Sequence, residues 1–502
     1  MSYMVTRPEL LAATAADVEH IGSTIGAAGT SAAGPTTGLV AAAQDEVSAA
    51  IANLFGIYGE EYQAVLSQGA VFHSQFTQAL AAAANAYAQA ETANTAVLSE
   101  VSNAVGAPVQ TLFGQAPVAG GGSSMLTSIA QSSSGDPLYA LIMGGTNNPT
   151  PESDYVDSIF RSYINPNPLY SGAIKTGLFT PEQFWPVTPL LGNLTFAQSV
   201  AQGVTALNNA LLGPGGVITH GNSAVVFGYS ESATVATDEI NALLALPAGS
   251  QPGANQLSFM LVGDPNNPVG GLLERFPGFY IPFLDVPFNG ATPQSPWHTS
   301  IYTAQYDGIA DAPQYPANVV SDLNAFMGYF FVHDTYPDMT ATQIANAVPL
   351  PTNGGNTSYY MIMTQNLPLL QPIRDIPYAG PPIADIFQPD LRVIVDLGYG
   401  DYGPGLNYAN VPTPATLFAI PNPFTVIPDL ALGAVQGPYG AVVEIGVEAG
   451  LLSPSYFPTA YPWAPSIDPG LHVFLGQPST TLLSRLSGAV GDVLQVIPPI
   501  LN

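Results

Sequence analysis

Five apolar runs of strand length, LYALIMGG near 138, AVVFGYS near 224, LSFMLVGD near 257, TSIYTAQYD near 299 and LRVIVDLGYG near 391, are separated by helical or Pro/Gly-rich stretches. Continuous apolar runs of this length read as strands buried on both faces, and their alternation with helical segments is the pattern of a mostly parallel sheet in an α/β core. Residues 138–401 are therefore expected to form an α/β domain. The Pro-, Gly- and aromatic-rich residues 402–502 are read as a C-terminal cap or packing extension.

The first hundred residues follow another rule. Leu11, Thr14, Val18, Ile21 and Ile25 recur at spacings of three and four, one apolar face of a helix, until Gly34 and Pro35 break the pattern. A second run through Val47, Ile51, Leu54, Tyr58, Tyr62, Val65, Phe72, Phe76 and Leu80 repeats the spacing. Residues 1–95 thus read as an antiparallel helical hairpin whose stripe needs a partner, either the rest of this chain or, by preference, another protein. Residues 96–137, dense in Gly, Ser and Pro, read as a linker.

Charge excludes one class of function. The 502 residues hold seven Lys and Arg against 35 Asp and Glu, a net charge of -28, so no basic patch can form and nucleic-acid binding is not expected. There is no Cys, which removes thiolate metal sites and Cys nucleophiles. The N-terminus lacks the charged start and apolar core of a removable secretory signal. Gly, Pro and polar residues interrupt every long apolar stretch, so no membrane span is expected, although exposed apolar loops leave room for peripheral lipid contact. The glycine runs at 120 and 269 lack the Lys and helix context of a phosphate cradle, so no metal and no cofactor is expected.

The sharpest chemical signal is GYSES at 228–232. A nucleophile elbow needs a Ser at a strand-to-helix turn with small neighbours two positions either side. Gly228 and Ser232 meet that need around Ser230, although a match this short arises by chance about once in a chain so rich in Gly and Ser. The flanks strengthen it, because AVVF before the turn reads as a strand and SATVATDEINALLAL after it as a helix.

Six histidines can be weighed as the base. His20 and His73 lie in the hairpin. His220 and His298 precede their strands, at the edge opposite the one where open α/β sheets place their sites. Between His333 and His472, His333 is preferred. The acid should follow a strand and precede the His in the chain. Asp311 in YDGIADAP ranks first, Asp307 a close second and Asp264 third, the last being readable as a turn-forming residue before Pro. Backbone N–H groups of Glu231 and of the GGT loop at Thr146 are the expected oxyanion donors.

With these residues assembled, the chain resembles mycobacterial PE-family proteins that carry a serine-hydrolase module, the PE-PPE domain. The likeness rests on Pro8-Glu9 in TRPELL, LFG at 54–56 followed by YGEEYQ, and YAQAE with Tyr87 and Glu91. It continues through GGTNNPTP, FGYSESAT, VGDPNNPVGG, YDGIADAP, VHDTY, NLPLLQPIRDIP and FQPDLRVIVDLGYGDYGPG. The resemblance implies an α/β-hydrolase fold related to cutinases and lipases, and esterase activity on acyl esters or lipids. It carries Ser230, Asp307, Asp311 and His333 into the family's site.

It also implies a hairpin that pairs with a PPE-family protein, and export by type VII secretion machinery to the cell envelope or beyond, with Tyr87 and Glu91 as the secretion signal. At Glu231 such proteins usually have Gln, so a carboxylate beside the nucleophile is a departure. The rival expectation is a non-catalytic surface or immunomodulatory protein on a hydrolase-like scaffold.

Overall fold

The computed structural model describes residues 8–38 and 40, isolated positions between 52 and 77, and 137–499 apart from 404, 405, 477 and 478. The chain divides into two compact units, Met1–Ser128 and Ile129–Asn502.

In the first unit, helix α1 spans Pro8–Thr37. It runs through Gly34 and Pro35, where the sequence pattern predicts its end, and closes with the Gly38 N–H on the Gly34 carbonyl at 3.0 Å. A proline in the last turn removes one N–H and leaves the rest of the ladder intact. The described positions between 52 and 77 are helical, and the Gln63 amide donates to the Gly29 carbonyl of α1 at 3.2 Å. The remainder of the hairpin, its Tyr87 and Glu91, and the 96–136 stretch lie outside the described residues.

The second unit is built on a seven-stranded sheet. In chain order its strands are β1 (Leu138–Ile142), β2 (Ile174–Gly177), β3 (Ser223–Tyr229), β4 (Leu257–Val262), β7 (His298–Ala304), β8 (Val348–Pro349) and β9 (Thr357–Ile362), while β5 (Tyr280–Ile281) and β6 (Val286–Pro287) form a separate hairpin. The order across the sheet is β2-β1-β3-β4-β7-β9-β8. All pairings are parallel except β8 with β9. The long helices of this unit are α2 (Ser153–Ile159), α3 (Phe196–Leu212), α4 (Glu231–Ala245), α5 (Val319–Phe331), α6 (Gly380–Asp396), α7 (Pro423–Glu448) and α8 (Leu482–Leu494). This is an α/β-hydrolase arrangement, a mostly parallel sheet with helical cover on both faces.

The central strands read as unbroken apolar runs because alternate residues face two different layers. On β3, Ala224 and Val226 pack with Leu207, Ile240 and Leu243 of α3 and α4. Val225 and Phe227 pack on the other face with Ile159, Tyr163 and Tyr336.

One sequence expectation about the sheet is corrected. LRVIVD, read as a fifth core strand, is the last part of α6. The buried stripe of that helix is Asp385, Gln388, Arg392 and Asp396, spaced at three and four. These polar residues are buried together with Ala384, Val393 and Val395, and the contiguous apolar letters of LRVIVD mimic a strand although they continue a helix. The strand beside β7 is instead β9, TSYYMI.

The C-terminal residues belong to this same unit. Buried Arg275 ties them in, donating to the carbonyls of Ala312 and Val269 and to both the carbonyl and hydroxyl of Thr413. Helix α7 is long and apolar enough, by length and composition, to cross a membrane, against the expectation of no such segment. Its Gly433 and Gly437 face sits directly on α6, where added side chains would meet Asp390 and the Ile386 carbonyl.

Candidate active site

Ser230 stands at the junction of β3 and α4 with φ 57° and ψ -118°, a conformation that side chains rarely adopt. The turn is possible because its neighbours are small. A Cβ on Gly228 would lie 2.7 Å from the Ser232 carbonyl oxygen. The Ser232 hydroxyl accepts from the Tyr229 N–H at 2.9 Å, holding the elbow closed.

His333 arrives from the far side of the sheet, just beyond α5. Its Nε2 lies 2.8 Å from Ser230 Oγ, and its Nδ1 lies 2.9 Å from each carboxylate oxygen of Asp307. Asp307 follows β7 and is fully buried. Its Oδ1 accepts the Ile309 N–H at 2.9 Å and its Oδ2 accepts the Tyr336 hydroxyl at 2.8 Å. The Tyr229 hydroxyl donates to the His333 carbonyl at 2.8 Å, so the imidazole is held at its ring and at its backbone. A serine, an imidazole and a carboxylate in this chain of contacts can move a proton off the hydroxyl.

Asp311, ranked first as the acid, makes no contact with His333. Its Oδ2 accepts the Tyr306 N–H at 2.8 Å inside the loop, four residues beyond the carboxylate that reaches His333. Asp264 closes its own turn, accepting the Asn266 N–H at 2.9 Å and the Thr292 hydroxyl at 2.7 Å. The other described histidines of this unit are occupied elsewhere, His298 with the Tyr170 hydroxyl, His220 with the Gly216 carbonyl and His472 with Asp401. Tyr336 and Tyr229 were not anticipated. Tyr336 sits three residues beyond His333 in VHDTYPD, and that spacing is the only trace it leaves in the sequence.

The GGT loop lies beside Ser230. A Cβ on Gly145 would meet the Tyr229 ring at 2.8 Å, so glycine lets the loop come this close to the elbow. The backbone N–H groups of Thr146 and Glu231 make no backbone hydrogen bond among the described residues. Glu231 opens α4 and has no carbonyl a turn earlier within the helix to accept its N–H. Its side chain is buried and turned to the loop, where the Thr146 hydroxyl donates to Glu231 Oε2 at 2.7 Å. Burial pushes this carboxyl up to about 7, against the lowering influence of the Ser199 and Thr146 hydroxyls.

Ser230, His333, Thr146 and Glu231 all line one cavity of about 660 Å³. Its other walls are mostly apolar, with Phe184, Leu190, Phe196, Ile281, Leu284 and Phe288 among them. The β5–β6 hairpin forms part of the cover and is pinned by Asp285, which accepts the Thr195 hydroxyl at 2.5 Å and the Tyr280 hydroxyl at 2.8 Å. Among the described residues, no group of three or more His, Cys, Asp or Glu is placed to hold a metal ion.

Three further buried carboxyls around this core, Asp264, Glu274 and Asp311, are each pushed up to about 7, with burial the leading cause. In the unfolded chain they return to about 4. Between those values the folded state binds more protons, so stability is fully present at low pH and is lost as pH rises through about 7. Thermal unfolding at pH 5 and pH 8 should show the higher midpoint at pH 5, by on the order of 5 °C.

Comparison with known proteins identifies two regions. Residues 4–94 match the PE family and residues 171–400 match the PE-PPE domain. PE family protein PE3 of Mycobacterium tuberculosis (strain ATCC 25618 / H37Rv) is 54% identical over 504 residues, covering 100% of both chains. Esterase PE16 of the same strain is 42% identical over 445 residues, covering 88% of this chain and 77% of its own. Among solved structures, a cutinase-like protein from Cryptococcus sp. aligns at 18% identity with a TM-score of 0.24, over 35% of this chain and 79% of that one.

Proposed function

The chain belongs to the PE family and carries a PE-PPE domain, and from that premise we propose that it is a serine esterase acting on acyl esters of apolar chain. The observation that carries the reading is the run of contacts from Ser230 Oγ through His333 to Asp307 at the mouth of an apolar cavity. A relative with 42% identity named as an esterase supports it.

Ser230 Oγ attacks the ester carbonyl while His333 Nε2 takes its proton, and Asp307 holds the Nδ1–H and faces the imidazolium that forms. The Thr146 and Glu231 N–H groups receive the charge that develops on the carbonyl oxygen. Collapse breaks the bond to the alcohol, which leaves with the proton from His333. Water then repeats the sequence on the acyl-serine, giving the free acid and the original enzyme. The apolar walls suit an acyl chain, and a cavity of this size lies within the usual range for small-molecule sites.

The same reading includes export by type VII secretion through Tyr87 and Glu91, pairing of the N-terminal hairpin with a PPE-family protein, and residence at the cell envelope or outside the cell. It rests on the family and on the sequence motif. One experiment addresses chemistry and location together: a fluorophosphonate probe applied to cell lysate, envelope and culture-filtrate fractions. Label on Ser230 in the envelope or filtrate is expected. An unlabelled protein would favour a non-catalytic surface role, and label confined to the cytosol would refute export.

A further inference from the structure

The Thr146 hydroxyl is committed to a carboxyl group at 2.7 Å, yet Thr146 also lines the cavity where the oxyanion must form. An ionised carboxylate only accepts hydrogen bonds, so against it the hydroxyl has to be the donor and its hydrogen points away from the substrate. A protonated carboxyl can donate instead, and the hydroxyl hydrogen is then free to turn into the cavity.

A second acid sits beside this pair. The Glu182 carbonyl accepts the Asn147 N–H at 2.9 Å, pinning the residue next to Thr146. Glu182 is 1% exposed, has φ 48°, and both its carboxyl oxygens are buried, with only the nearby Thr180 hydroxyl acting to lower its pKa. Burial first, and then the charge of Glu231, hold its carboxyl well above the usual range. The other titratable or charged groups around the two acids are Tyr155 from α2, which is close enough to feel Glu182, and His333 and Asp334, which line the cavity with Glu231. The Lys and Arg ion pairs among the described residues, Lys175 with Asp157 and Arg374 with Asp385, involve neither carboxyl. Two buried acids without a cation cannot both ionise cheaply, so their titrations are linked and burial keeps both carboxyls above the usual range.

We propose that Glu231 is a proton-controlled positioning residue for oxyanion stabilisation: protonated, it releases the Thr146 hydroxyl to donate to the oxyanion; ionised, it captures that hydroxyl and sets a negative charge beside the site. This rests on the serine esterase reading. Glu231 is the member of the pair that touches the Thr146 hydroxyl and lines the cavity, so its charge is the one the site feels.

The test compares kcat for p-nitrophenyl esters, from about pH 5 to about pH 9, in the full-length chain and in Glu231→Gln, Thr146→Val and the double variant. A glutamine stays uncharged and can donate to Thr146 Oγ1 at every pH. The wild type should therefore show a fall in kcat through about pH 7 that Glu231→Gln lacks, leaving the variant about tenfold faster at the alkaline end. In the Thr146→Val background that advantage should shrink below about threefold, since no hydroxyl is left to release. Superimposable wild-type and Glu231→Gln profiles, or an advantage undiminished without the hydroxyl, would overturn the proposal.

If Glu231→Gln fails to fold, Thr146→Val alone decides. It should cost activity on the acid side and converge on the wild type at the alkaline end, and an equal cost at every pH overturns the role. Failure of the esterase reading looks different, because the wild type would then neither turn over esters nor take fluorophosphonate label at Ser230. Labelled Ser230 with unchanged profiles would refute this inference alone.

Discussion

Ser230→Ala is expected to lower kcat on p-nitrophenyl acyl esters by on the order of 10⁵-fold to 10⁶-fold while leaving the fold intact. Among the described residues, the hydroxyl is the nucleophile in contact with His333 Nε2, at 2.8 Å. Without it, no acyl intermediate forms and only the cavity and the oxyanion donors are left to act on water. Alanine at 230 loses one partly buried hydroxyl at a position whose strain is set by the backbone, so circular dichroism and the thermal midpoint should change little. Burst-phase kinetics and fluorophosphonate labelling provide the check. A variant that retains more than about 1% of wild-type turnover would remove Ser230 from the mechanism.

The second large effect separates two acids that lie four residues apart. Asp307→Asn should reduce kcat by about 10⁴-fold, because an amide facing Nδ1 favours the wrong imidazole tautomer and cannot offset the imidazolium charge. Asp311→Asn should leave kcat within about tenfold of wild type, since an amide oxygen can still accept the Tyr306 N–H. The comparison is internal, with both variants made in the same loop and assayed side by side. Equal losses at the two positions, or the larger loss at Asp311, would contradict the geometry in which only Asp307 meets His333.

Much of the site was legible before any coordinates. Ser230 was legible because an elbow needs a local pattern, a strand, two small residues and a helix, and all of it falls within about 20 residues. His333 followed from elimination, which works in a chain with six histidines and would fail in one with twenty. The acid was narrowed to one loop but not to one residue. Asp307 and Asp311 share that loop, and the turn at the end of β7, where Tyr306 takes φ 68°, determines which of them faces the imidazole.

The hidden parts share a cause. In α6 the apolar letters of LRVIVD cluster at one end of a helix whose buried face also holds polar residues, so they read as a strand. Tyr336 is an ordinary tyrosine until its hydroxyl is seen on Asp307. Glu182 lies in a stretch with no motif, and nothing local connects it to a residue 49 positions later in the chain.

By itself, the sequence determined the class of fold, the family, the candidate nucleophile Ser230 and the shortage of cations for a basic surface, because each of these depends on local spacing or on composition. Tertiary structure decided which carboxylate contacts His333, where Glu231 points, and that Glu182 stands beside it. Parallel strands joined by long crossovers bring residues about a hundred positions apart into hydrogen-bond contact, and such contacts leave no period in the chain.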